Sequence, residues 1–148
     1  MSFRQSVDVA IPPAAAFELF TLGIARWWPL HEGFSYGGER AASIALEPRL
    51  GGRFFERFTD GDELQVGEVI ACEPPARIVF TWQAPGWAGT TEVEVTFSGD
   101  DRRTRVEVEH RGWDRLGPGL EGEAEGFRNG WPAVLGAYAA AASDVSAG

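Results

Sequence analysis

Thr91-Glu92-Val93-Glu94-Val95-Thr96-Phe97, turned by Ser98-Gly99-Asp100-Asp101 into Arg105-Val106-Glu107-Val108-Glu109-His110, carries the architecture of this chain. Side chains on a strand alternate between faces, so Val93, Val95 and Phe97 share one side while Glu92, Glu94 and Thr96 share the other. The second run repeats the pattern, with Val106 and Val108 opposed by Arg105, Glu107 and Glu109. His110 falls on the apolar side. Two such strands joined by a short polar turn make an antiparallel hairpin with one buried and one wet face.

Upstream, strand-like segments at about 43–48, 52–58, 63–73 and 76–83 lead into the pair at about 91–98 and 102–111. Leu50-Gly51-Gly52, Thr59-Asp60-Gly61-Asp62, Glu73-Pro74-Pro75 and Pro85-Gly86 supply the chain reversals between them. Consecutive reversals give a meander. Ahead of it, Phe3 to Ile11 alternates as a strand with Phe3, Gln5, Val7, Val9 and Ile11 on one side, and Pro12-Pro13 opens a short helix over about 13–22. Gly23 ends that helix, Ile24 to Trp28 adds one more turn before Pro29, and Leu30 to Arg40 reads as a loop covering a site.

After a turn-rich stretch at 112–119, residues 121–142 become helical, with Phe127, Trp131, Val134, Leu135 and Tyr138 on one face. Gly122, Gly126 and Gly130 step along the same helix at intervals of four. Each costs about 1 kcal/mol against Ala, so either the helix begins nearer 126 or its backbone approaches the sheet or a ligand closely. The expected fold is α+β, a single domain over 1–148. A curved antiparallel sheet of about seven strands wraps a long C-terminal helix, two short helices follow the first strand, and a cavity lies between helix and sheet.

Composition narrows the function. The hydrophobic share of 44% and charged share of 24% are those of an ordinary globular protein. A net charge of −9 repels nucleic-acid backbones. All thirteen basic residues are Arg, and without Lys there is no Schiff-base chemistry. A single Cys72 cannot form an internal disulfide, no signal-peptide pattern opens the chain, and no run is apolar enough to span a membrane, so a cytoplasmic location is expected. Metalloprotease, zinc-finger, Walker, Rossmann and nucleophile-elbow motifs are absent, leaving cofactor-free and metal-free chemistry as the expectation.

The ordered motifs resemble one family. Pro12-Pro13-Ala14 into Phe17, Arg26-Trp27-Trp28-Pro29, Gly51-Gly52-Arg53-Phe54, Gly67-Glu68-Val69, Glu73-Pro74-Pro75 with Arg77-Ile78, and Phe80-Thr81-Trp82 are followed by Thr104-Arg105-Val106, His110-Arg111-Gly112 and Gly130-Trp131-Pro132. This series is similar to the short bacterial relatives of the heat-shock-protein-90 ATPase activator, within the START and birch-pollen-allergen superfamily. The resemblance implies a helix-grip fold. Its functional implications range over lipid carriers, hormone sensors, polyketide cyclases and chaperone cofactors, and the domain with which the full activator engages the chaperone has no counterpart in this sequence.

Candidate site residues follow from the alternation. If Phe54 and Phe58 face inward, Glu56 goes with them; the alternative turns Phe55 inward and leaves Glu56 solvated. His110, at the end of the last strand, either exchanges protons near neutral pH or is a hydrogen-bonded structural histidine. Glu56 and His110 are the candidate catalytic residues. Trp28, Phe54, Glu56, Trp82, His110, Trp113, Phe127 and Trp131 form the expected ligand-contacting set. Glu68 and Cys72 are expected on one face of their strand and Gly67, Val69 and Ala71 on the other, with Cys72 inert and His31 in the covering loop.

The leading expectation is binding of a small apolar or aromatic molecule by a monomer or homodimer. A cofactor-independent cyclase, dehydratase or hydrolase and a protein-interaction module are the alternatives.

Overall fold

The computed structural model describes residues 2–120 and 122–147. Seven strands, β1 (Ser2–Val9), β2 (Ala41–Leu46), β3 (Arg53–Phe58), β4 (Glu63–Glu73), β5 (Arg77–Trp82), β6 (Thr91–Gly99) and β7 (Thr104–Arg111), form one antiparallel sheet in the order β1-β7-β6-β5-β4-β3-β2. The meander is as the turn chemistry implied, and β1 joins its far side by pairing with β7, Phe3 opposite His110. Helix α1 (Pro13–Phe20) and three 3₁₀ turns carry the chain from β1 across to β2. Helix α2 (Glu123–Ala147) closes the concave face.

The hairpin β6–β7 shows how the sequence sorts its two faces. Val93, Val95, Val106 and Val108 are fully buried. On the outer face, Glu94 lies directly opposite Glu109, a repulsive pairing, and Arg111 relieves it by bonding Glu92, Glu94 and Glu109 together. Arg111 and then Arg77 hold the Glu94 carboxyl below the usual carboxylate range.

Curvature comes from irregularities in the other half of the sheet. Register shifts fall between Ala41 and Ser43 in β2 and between Val69 and Ala71 in β4, with another in β4 where Phe54 and Phe55 pair with Gly67 and Gln65. A bulge bends its strand and resets which residues face inward. The expected facing of β4 is corrected by this. Cys72 pairs with the buried Ile78 and packs against the core, joining Val69 inside, while Glu68 stays exposed. Burial, followed by the Glu73 charge, raises the Cys72 thiol pKa, which fits an inert role. At Gly67 a Cβ would stand 1.7 Å from the Thr81 carbonyl oxygen, so only glycine admits this approach of β4 to β5.

Helix α2 runs five residues beyond the expected end at 142, because the alanine tract carries it through Ser143 to Ala147. Its expected first residue, Glu121, lies outside the described residues. Pro132 sits inside α2 and has no N–H to give the Arg128 carbonyl one turn earlier. Gln5 of β1 fills that vacancy, its Nε2 donating to Arg128 O at 2.7 Å. Tyr138 Oη donates to Ala16 O at 2.8 Å and ties α2 to α1. Among the described residues no helix is long and apolar enough to cross a membrane.

Candidate functional site

Between the first turns of α2 and the sheet an open cleft of about 350 Å³ remains. Helix α2 contributes Glu123, Gly126, Phe127, Gly130, Trp131 and Val134; the covering loop contributes Gly33 to Tyr36; Trp28, Trp82 and Ala84 complete the wall. The glycine spacing now has a physical account. A Cβ at Gly126 would meet nothing within 4 Å, and one at Gly130 would meet only the Phe34 ring, at 3.1 Å. These two positions keep the cleft open, and the helix accepts their lower propensity.

The aromatic walls support one another. Trp28 lies 6.1 Å from Trp82 and 6.0 Å from Trp131, and Trp82 lies 5.3 Å from Phe127 in an edge-on arrangement. Such offset and edge-on pairs fix ring orientation beyond simple burial. The indole nitrogens are engaged: Trp28 Nε1 donates to Phe34 O at 2.9 Å and Trp82 Nε1 to Tyr36 Oη at 2.9 Å. Tyr36 therefore accepts from Trp82 and keeps its own proton to donate. Burial of the hydroxyl raises its pKa, and the charges of Glu123 and Glu56 add to the rise, while the Trp82 bond opposes it. It is a neutral donor at pH 7.

Glu56 is 1% exposed, facing inward with Phe54, and Phe55 lies on the outer face beneath the Arg53 and Arg57 guanidinium groups. Its carboxylate does not line the cleft. One oxygen accepts from Ser35 Oγ and the other from the Tyr36 backbone N–H at 2.9 Å. Glu56 thus anchors the loop that forms one wall. Gly33, at φ 100°, supplies the left-handed turn with which that loop begins.

His110 is fully buried among Phe3, Trp82, Trp113, Phe127 and Trp131. Trp131 Nε1 can only donate, and it meets His110 Nδ1 at 3.1 Å, which places the imidazole proton on Nε2. That proton is directed at Thr91 Oγ1, 2.8 Å away, and Thr91 in turn donates to Trp82 O. Both ring nitrogens are occupied, and burial lowers the pKa from 6.5 to about 3. The ring is held neutral as a joint between β7, β6 and α2.

Of the expected contact set, Trp28, Trp82, Phe127 and Trp131 line the cleft, whereas Phe54, Glu56, His110 and Trp113 stand behind its wall. Glu56 and His110 have separate hydrogen-bond partners and do not bond each other. Sequence reasoning did not single out Phe34, Tyr36 or Glu123. Periodicity says nothing of loop residues, and Glu123 looks like an ordinary first-turn acid. His31 is exposed. Among the described residues no three His, Cys, Asp or Glu side chains gather into a metal-holding cluster.

A curved antiparallel sheet gripping a long C-terminal helix, with an aromatic cleft between that helix and a covering loop, defines a helix-grip protein of the START-like superfamily. The chain belongs to the family described as activator of Hsp90 ATPase homolog 1-like protein, whose family model matches residues 10–142. Among solved structures it is 34% identical to the anthrahydroquino-γ-pyrone synthase Txn09 over 80% of each chain, with a TM-score of 0.57. It is 28% identical to CalC, a self-sacrificing resistance protein from Micromonospora echinospora, over 97% of this chain and 94% of that one, with a TM-score of 0.69. Likeness to PFC0360w, an HSP90 activator from Plasmodium falciparum, covers 88% of this chain and 87% of that one at 23% identity and a TM-score of 0.57, and shows a shared fold. No curated protein matches the chain.

Proposed function

We propose that this protein binds a small, largely aromatic molecule in the cleft between α2, the 33–36 loop and Trp82. The observation that carries the reading is a cleft of about 350 Å³ walled by Trp28, Phe34, Trp82, Phe127 and Trp131, with glycine at the two helix positions where a side chain would fill it. Its size lies at the lower end of the range of roughly 300–1,000 Å³ for small-molecule sites, which suits a ligand of a few fused rings. The identity shared with Txn09, whose name specifies an anthrahydroquino-γ-pyrone product, supports a flat polycyclic ligand.

The test is a thermal-shift and fluorescence titration with neutral fused aromatics, in the wild type and in Gly126→Phe. A ligand at one hundred times its Kd stabilises by about 2.7 kcal/mol, which raises Tm by several degrees in a domain of this size. Stabilisation in the wild type that is lost in Gly126→Phe supports the reading. Absence of any shift across fused-ring, lipid and apolar fluorophore probes contradicts it.

A second reading, catalytic turnover of such a ligand, rests on the same likeness to a synthase. Glu56 and His110 are poorly placed as its acid and base, since one holds the loop and the other has both nitrogens occupied. Tyr36 and Glu123 are the groups lining the cleft that could exchange hydrogen bonds with a substrate.

A further inference from the structure

Glu123 is out of keeping with the rest of the cleft. As the first residue of α2 it suits the positive end of the helix dipole, but that role leaves its direction open. The structure turns it into the cleft, partly buried, where Trp87 Nε1 donates to its Oε1 at 2.9 Å. A carboxylate offers about four acceptor positions, so one indole leaves most of its capacity unused. Each of the described ion pairs joins other residues, and none of the described residues lining the cleft is basic. A half-buried carboxylate with free acceptor positions and no cationic partner among the described residues is suited to receive a charged donor from a ligand.

The surrounding rings favour the same kind of group. Trp82, Phe127 and Trp131 present aromatic surface to the same space, and the negative face of an aromatic ring attracts cations. Among the described residues lining the cleft, the side-chain donor left uncommitted is the Tyr36 hydroxyl, which is neutral and suits an uncharged acceptor on the ligand. The chain as a whole carries a charge of −9, which adds long-range attraction for a cation and repulsion for an anion.

We infer that the ligand's aromatic body carries a protonated amine, seated against the Glu123 carboxylate with the rings between Trp82, Phe127 and Trp131. This inference rests on the cleft-binding reading and adds the charge of the ligand to it. Fatty acids, aromatic carboxylates and phosphate esters are thereby disfavoured. Glu123 is the residue that sets this selectivity.

Three probes sharing one ring system separate the inference from the reading beneath it: 9-(aminomethyl)anthracene, 9-anthracenemethanol and 9-anthracenecarboxylate, which are cationic, neutral and anionic at pH 7. Fluorescence titration of the wild type should give at least about tenfold tighter binding for the amine than for the carboxylate, with the alcohol between them; tenfold corresponds to about 1.4 kcal/mol. In Glu123→Gln, where Trp87 Nε1 retains an oxygen to donate to, the amine-to-carboxylate ratio should fall to within about threefold. Equal binding of the three probes, tighter binding of the carboxylate, or a ratio that survives in Glu123→Gln overturns the inference while leaving the cleft reading intact. Failure of all three probes to bind contradicts the cleft reading and the inference with it.

Discussion

Acidification from pH 7 to pH 5 should weaken the fold through one residue, His110. Its imidazole is buried with Nδ1 facing the Trp131 N–H and Nε2 directed at Thr91 Oγ1, and the rings packed around it carry no charge. Burial among these uncharged rings is what lowers its pKa from 6.5 to about 3, and a second proton, on Nδ1, would in addition face the Trp131 N–H, itself a donor. The folded pKa is depressed, so below 6.5 the unfolded chain takes up a proton that the folded chain refuses. Stability is therefore full above pH 6.5 and is lost progressively down to about pH 3. Integrating the proton difference from pH 7 to pH 5 gives a loss of about 2 kcal/mol from this group alone.

Glu63 and Glu94, whose ion pairs hold their carboxyls below 4.5, lose their contributions mainly at lower pH, outside that interval. Urea unfolding at pH 7, 6 and 5 in the wild type and in His110→Gln isolates the effect. The variant is less stable at pH 7, but its dependence on pH over this interval should be smaller by about 2 kcal/mol. A wild-type stability that is flat from pH 7 to 5, or an imidazole that titrates near 6.5 in the folded protein by NMR, would refute this account of His110 and restore it as a candidate acid or base.

Three further outcomes follow from the packing. Gly126→Ala adds a methyl group where nothing lies within 4 Å, so it should raise stability by up to about 1 kcal/mol while weakening binding of a fused-ring probe, as read by urea titration and fluorescence. Glu56→Ala leaves the Ser35 hydroxyl and the Tyr36 N–H without their acceptor and should cost about 1–3 kcal/mol, with faster amide exchange concentrated in residues 33–37. Gly67→Ala drives a Cβ into the Thr81 carbonyl at 1.7 Å and should destabilise by about 3 kcal/mol or prevent folding, seen as loss of the cooperative melt.

Most of the fold was legible because β6 and β7 alternate without interruption and because glycine and proline mark each reversal. The facing of β4 was not, since bulges near Val66 and Ile70 break the period of two, and a bulge has no fixed residue signature when both faces are apolar. At the site, the helix stripe put Phe127 and Trp131 on the face that lines the cleft, whereas the four-residue glycine spacing suggested a later helix start or close backbone approach, and the helix instead begins at Glu123 with nothing within 4 Å of a Cβ at Gly126. Alternation put His110 inside and left Glu56 either inward or solvated; the structure buries both, but an inward direction does not distinguish a residue that meets a ligand from one that holds the wall. Hydrogen bonds made that distinction: Ser35 and Tyr36 occupy Glu56, and Thr91 and Trp131 occupy His110. Tyr36 and Glu123 became visible once the loop and the first turn of α2 were seen to meet across the cleft.

A crystal structure of the protein with 9-(aminomethyl)anthracene would test the binding account most directly. The account predicts the ring system between Trp82, Phe127 and Trp131, its amine against Glu123, and the 33–36 loop still anchored by Glu56 as the facing wall. Ring density elsewhere on the molecule, with the cleft filled only by solvent, would contradict it.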